Sequence, residues 1–581
     1  MDEHVLKRLL AASKGEEPLD AVIVNGRIVN VFTNAIDEGR FIGIKDGFIV
    51  SLGDASKEAL PAAGRVIDAE GRYLCPGFID GHTHVDSIFP FYEMVPWSLR
   101  GGTTTVITEC AMVANACGMD MTLSFVESTK GYALRCYFLA PPLTPPLPEV
   151  ERAKGITFGE FASLLKRDDF LGIGEGYWNR IVDGDARVMK QAALAIRLGK
   201  TLEGHGAGAR GPKLVQYVTT GITSCHESIT TEEAVEKLRL GVHVMIREGF
   251  VRRELAELSH LKDIPVDMRR VMLVSDVFDA VMLIEEGYLD SVVRRAISYG
   301  FAPIEAIKMA SINVADYYGL RHLGAIAPLR HADILFLDRL ENLSISKVMA
   351  NGEMLVEDGQ FKGKIKPHRY PAAARKTVAA KPLKADDLRV KASAPRHKVR
   401  IIQVANETIT REAEAVLEAP KGFLEANPAE DIAYVAVINR YNSSLMGKGF
   451  IRGTGIREGA FATTMIWDTC NILAIGSSIA DLQAVVNRLI SVQGGIVVSS
   501  RGKVIYEFAM PVYGLIPLMG MEEVRGKTKA LDGAMAAIGT SIPRPFLSLQ
   551  TIPFTGLPFL RITDKGLVDI RQRRLVPLII E

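Results

Sequence analysis

Long apolar runs, a cysteine framework and an excess of either charge are all missing from this 581-residue chain. No stretch of about 18 uncharged apolar residues occurs, which excludes a helical membrane span. The N-terminal MDEHVLKRLLAASKGEEPLD carries acids where a secretory leader needs an apolar core, and it reads as an amphipathic helix. Six cysteines (Cys75, Cys110, Cys117, Cys136, Cys225, Cys470) form no Cys-x-x-Cys pair and no framework spacing, so a reduced, cytoplasmic compartment is expected. Lys+Arg number 69 against 68 for Asp+Glu, a net charge of +1, so neither nucleic acid nor an acidic membrane surface is an expected partner. What remains is an ordinary globular composition, 48% hydrophobic and 24% charged, long enough for several structural units around a large core.

The units can be placed from the pattern of apolar runs. Residues 1–73 hold the first helix and short alternating runs (AVIVNGRIVNVF, FIGIKDGFIVSLG) broken by Asn25-Gly26 and Asp46-Gly47, which are hairpin signals. A second piece of the same style spans 324–362, and the two together suggest one small β-sandwich built from both flanks of a central domain. The middle, 74–323, alternates strand-like and helical runs. The strand candidates are YLCPGFID, TTTVITEC, ALRCYFLA, FLGIGEG, TLEGHG, GITSCHE, HVMIRE and RRVMLVSD, a rhythm that fits an α/β fold, a (β/α)8 barrel. A basic, Pro/Ala-rich stretch at 363–400 reads as a connector. Residues 401–581 mix strands and helices and read as an α+β domain.

Barrels of this kind do chemistry where the strands end at their C-terminal side, and that is where the candidate ligands fall. His82 and His84 follow the first run, Glu175 the fourth, His205 the fifth, His226 the sixth and Asp276 the eighth. Residues i and i+2 of a strand share a side, so His82 and His84 can hold one ion together. Each ligand alone has an ordinary reading: His205 as a loop residue, Glu175 as a turn charge, Asp276 as a helix N-cap. Their joint placement in strand order favours a metal site. Six ligands exceed what one tetrahedral ion needs, and two divalent ions sharing a carboxylate use them better. Asp276 is then placed to act as general base as well.

These motifs (PGFIDGHTH, GIGEG, LEGH, GITSCHE, VMIREG, LVSD, then ASINVADYYGL and GAIAPLRHADI) stand in the order seen in the adenine deaminase family of the amidohydrolase superfamily, which the chain resembles over nearly its whole length. The resemblance implies conversion of adenine and water to hypoxanthine and ammonia by a metal-bridging hydroxide. It places one ion on His82, His84 and Asp276, the second on His205 and His226, and the bridge on Glu175. Two divalent ions, manganese or iron with zinc also allowed, are implied. The substrate would be a purine or related small heterocycle. The additional C-terminal domain, of the adenine deaminase type, offers surface for a homodimer or higher homo-oligomer. The other deaminase signature, His-x-Glu with Pro-Cys-x-x-Cys, is absent.

The chain also departs from the family pattern. Ala111 and Met112 stand where a histidine and the proton-carrying glutamate are expected, and the C-terminal domain reads Trp467-Asp468-Thr469-Cys470-Asn471 in place of His-Asp-Ser-His-Asn. Asp276-Val277-Phe278 replaces Asp-Asp-Arg, and Arg440-Tyr441 replaces Arg-His. Either Glu109 or Glu227 is then expected to take over proton transfer with adenine as substrate, or the same metal site serves a rebuilt pocket and another cyclic amide, amidine or other C–N substrate.

Overall fold

Short runs rich in Val, Ile, Thr and Phe, most of them closed by a Gly, His or carboxylate, become eight parallel strands in sequence order. They are β1 (Phe78–Thr83), β2 (Thr103–Glu109), β3 (Arg135–Ala140), β4 (Phe170–Tyr177), β5 (Thr201–His205), β6 (Ser224–Cys225), β7 (His243–Arg247) and β8 (Val271–Val274). The computed structural model describes residues 2–580. Two backbone hydrogen bonds close the sheet on itself: His84 N–H donates to Asp276 O and Asp276 N–H donates to His82 O, both at 3.0 Å. Asp276 makes this closure at φ +58°, a conformation that Asp adopts more readily than most residues.

Both faces of these strands are buried, but in different cores. On β7 and β8, Val244, Ile246, Val271 and Leu273 pack outward under the helices, whereas Met245, Met272 and Val274 pack inside the barrel with Ile79, Ile107 and Leu139. The period of two then carries the inner row to the mouth. Ile107 is followed on its side by Glu109, Met245 by Arg247, and Val274 by Asp276. The rows that fill the barrel with hydrocarbon therefore end in charged groups at its C-terminal rim.

The flanks meet in one continuous nine-stranded sheet, joined where Tyr73–Pro76 pairs antiparallel with Ile334–Arg339. The sheet curls back on itself, since Ile49 exchanges backbone hydrogen bonds with Leu329 and Arg330. The run YLCPGFID, expected as a single first barrel strand, is instead two: Tyr73–Pro76 belongs to this flanking sheet, and only from Phe78 does the chain enter the barrel. The stretch expected as a connector is extended over much of its length but buries Ala374, Val378, Leu383 and Leu388, and it runs directly into a strand, Arg396–Val404.

Beyond it lies an eight-stranded sheet whose central strand, Ile432–Ile438, is buried at every residue. The helix Ile479–Ser491, capped by the Ser478 side chain, packs against it. This unit rests on the mouth of the barrel. Tyr441 O–H donates to Ala116 O at 2.7 Å, and Asn471 Nδ2 donates to Arg152 O at 2.8 Å. Arg440 is fully buried, and its guanidinium donates to Thr377 O, Cys470 O and Tyr513 O. It thus pins three segments, one of them the connector. Arg440→Met leaves those buried carbonyls without donors at a cost of about 1–3 kcal/mol each; we expect a lower melting temperature and faster limited proteolysis within 401–581, both directly measurable.

Candidate metal centre

The strand ends bring four imidazoles and two carboxylates to one point. Glu175, near the end of β4, lies between all four rings: its Oε1 is 3.4 Å from His82 Nε2, 3.4 Å from His84 Nε2 and 3.3 Å from His226 Nε2, and its Oε2 is 3.2 Å from His205 Nδ1. Asp276 Oδ1 stands 3.6 Å from His82 Nε2 and 3.4 Å from His84 Nε2. Two ligand groups result, His82/His84/Glu175/Asp276 and Glu175/His205/His226, each with its donor atoms within 4.8 Å of one another, and they share Glu175.

The donor set suits cations. His82 Nε2, His205 Nδ1 and His226 Nε2 are buried with no properly formed hydrogen bond among the described residues, an expensive state for a polar atom unless something else engages it. Burial, reinforced by His82, brings His226 down to about 4, so its ring is neutral, the form that ligates. The surrounding carboxylates instead overcome burial and raise His82, His84 and His205, so a cation binding there displaces protons from those rings. Burial alone would raise the Glu175 carboxyl; the surrounding imidazoles, His205 foremost, outweigh it and hold it well below the usual range. Nitrogen and oxygen donors without thiolate match divalent first-row ions.

A second layer orients the first. His82 Nδ1 lies 2.7 Å from Glu203 Oε2, and Tyr318 O–H donates to the other Glu203 oxygen. This leaves Nε2 of His82 facing the cluster. Arg247, at the end of β7, pairs with Glu227 and Glu254 and reaches Asp276 Oδ2 at 3.4 Å.

The three acids expected to move protons fall in different settings. Asp276 is in the cluster. Glu227 is locked to Arg247; burial pushes its carboxyl up, but His205 and Arg247 together hold it below its ordinary value, so it stays ionised. Glu109 lines the cavity above the cluster and is pushed up to about 8, by burial first and by the charge of Glu175 second. It has room because residue 174 is glycine: a Cβ there would collide with the Glu109 carboxyl. Ala111 and Met112 also line this cavity and offer no proton.

Four further residues of the site were not singled out by residue spacing. Glu203 sits two residues before His205 on β5, and the same period-two argument that paired His82 with His84 would have found it. Arg247 carries the same kind of signal, two residues beyond the inward Met245. Tyr177 and Asp468 carry none. Tyr177 O–H donates to Asp468 Oδ1 at 3.1 Å, across 291 residues of sequence, and burial raises the Asp468 carboxyl to about 7.

Comparison with known proteins agrees along the whole chain. The amidohydrolase family profile matches residues 73–355, and the adenine deaminase C-terminal domain profile matches 407–574. The chain is 37% identical over 99% of its length to an adenine deaminase of Moorella thermoacetica, covering 98% of that protein. It is 32% identical to adenine deaminases of Clostridium botulinum (100% of this chain, 98% of the relative) and Dehalococcoides mccartyi (98% and 99%).

Glu203→Gln removes the charge behind His82 while keeping its shape. Metal affinity should fall about 10–100-fold, as read by chelator competition, with the fold unchanged by circular dichroism.

Proposed function

The chain belongs to the adenine deaminase family of amidohydrolases, and from that premise we propose that it removes the exocyclic amino group of an aminopurine with water, adenine giving hypoxanthine and ammonia. The observation that supports this most is Glu175 shared between two ligand groups at the barrel mouth. We assign His82, His84, Asp276 and Glu175 to one divalent cation, and His205, His226 and Glu175 to a second. Manganese or iron is the expected ion on donor chemistry, with zinc allowed. Bound there, such cations supply electrostatic activation, lowering the pKa of water toward neutrality and stabilising developing negative charge.

The chain's own groups do the rest. Asp276 accepts a proton from the attacking water at a carboxylate oxygen, and Arg247 beside it keeps that oxygen ionised beforehand. The water oxygen bonds to the amino-bearing ring carbon while the ring nitrogen takes up a proton. Asp276 then passes the proton it accepted to the amino nitrogen, the C–N bond breaks with loss of ammonia, and the hydroxyl proton left on the new C–O group returns to the acid that protonated the ring. Met112 cannot supply that ring proton. Glu109 replaces it in this reading, because it faces the same cavity and holds a proton near neutrality. Glu227 is set aside for this role, since Arg247 holds it ionised.

The test is ammonia release from adenine by protein loaded with Mn²⁺ or Fe²⁺. Turnover that disappears on chelation and returns on reloading is expected; none with any of these ions removes adenine as substrate. Glu109→Gln should lower kcat by about 10²–10⁴-fold at unchanged metal content, and a kcat within a factor of two of the parent excludes Glu109 as the proton carrier.

A further inference from the structure

The cluster residues line a cavity of about 450 Å³ whose other walls come from barrel loops and from the C-terminal domain. That volume is in the range of sites for drug-sized ligands, and a bare purine fills only a fraction of it. The two ends differ in chemistry. Glu109, Glu175, His205, Asp276 and Arg247 gather at one end, with Asp468 tied to Tyr177 beside them. The remaining wall is mostly hydrocarbon and aromatic, with Met465, Ile496, Phe508 and Met510 among its members and Thr408, Thr528 and Gln550 as its neutral polar ones. Tyr177, Phe554 and Trp467, all lining the cavity, form a chain of edge-to-face rings with centroids 5.8 Å and 5.4 Å apart. The charged exceptions, Arg252 and Asp279, also line an adjoining surface cleft.

Resting on the reading above, we infer that this chamber receives an apolar arm of the substrate itself: the substrate is an aminopurine, or a like heterocyclic amidine, bearing an alkyl or aryl substituent on the side of the ring away from the amino group. Continuity decides the occupant. A group reaching the chamber through the cluster end is covalently part of whatever is hydrolysed there, and the cluster residues and the apolar side chains line one and the same cavity. Water in an apolar chamber of this kind makes few hydrogen bonds, so a hydrocarbon arm that displaces it gains affinity. The arm takes no part in the bonds made and broken. Water and the amidine still give the ring carbonyl and ammonia.

The experiment compares adenine with adenines carrying ethyl, butyl or hexyl at C2, C8 or N9, using the metal-loaded protein, with ammonia release and calorimetric binding as separate readouts. At one attachment position or more, kcat/KM should rise about three- to fourfold per methylene until the chamber is filled, mostly through KM. Binding should show a growing negative heat-capacity change. Trp467→Ala and Phe554→Ala should flatten the dependence on chain length. If adenine is deaminated but every alkyl arm leaves kcat/KM flat or lower, this inference is overturned and the deaminase reading stands. If nothing is hydrolysed yet affinity climbs with chain length, the deaminase reading fails and the chamber's role stands. A chain-length dependence that survives both aromatic substitutions places the arm elsewhere and also overturns it.

Discussion

One carboxylate organises this molecule's working end. Glu175 sits within 3.4 Å of nitrogens on His82, His84, His205 and His226, in a place so enclosed that unpaired charge there would be severely penalised. Every other feature of the site serves that cluster. The strands deliver the imidazoles from different directions. Glu203 and Tyr318 fix the tautomer of His82. Arg247 balances Glu227, Glu254 and Asp276, so that no acid near the centre is left buried without a cation or a proton. The backbone bonds between Asp276 and the His82–His84 segment close the barrel at the site itself, which makes fold and chemistry depend on the same few residues.

The C-terminal domain is a wall of the site rather than an appendage. Tyr441 reaches the helix that carries Met112, Cys470 Sγ approaches Met112 O at 3.7 Å, and Asp468 is bound by Tyr177 at the cluster's edge. The unusual residues of this chain relative to its family meet along this seam. Arg440 braces the connector and the C-terminal domain through buried carbonyls, and Tyr441 beside it reaches across to Ala116 O. Ala111 and Met112 face the cavity, and Trp467 opens its aromatic wall. Ala111, Met112, Val277 and Trp467 line the cavity where the family resemblance implies polar residues, whereas Tyr441 and Cys470 lie in the seam beside the helix of Met112.

The same substitutions bear on the proton chemistry. Met112 offers no proton. Two cavity acids are raised toward neutrality, Glu109 to about 8 by burial and by its neighbour Glu175, and Asp468 to about 7 by burial; of these we assign the proton transfer to Glu109. Glu227 shows why proximity to the cluster is not enough: His205 and Arg247 beside it hold its carboxyl below the ordinary value. The same low dielectric that raises one carboxyl strengthens the ion pair that lowers the other.

Much of the site is legible in residue spacing alone. Strand periodicity and barrel order suffice to bring His82, His84, Glu175, His205, His226 and Asp276 forward, because ligands at strand ends obey a local rule. Glu203 and Arg247 obey the same rule and are legible in principle. By contrast, the split of Tyr73–Asp80 between two sheets depends on a partner strand far along the chain. The choice between Glu109 and Glu227 depends on where Arg247 lies. The pairing of Tyr177 with Asp468 and the shape of the chamber depend on how two separately folded surfaces meet. The sequence by itself thus determined the metal-ligating chemistry, since each ligand's position follows from its own strand. Tertiary structure alone decided which acids are raised toward neutrality and which side chains line the cavity, since burial and charge there are set by residues on other strands and, for the C-terminal wall, hundreds of positions away.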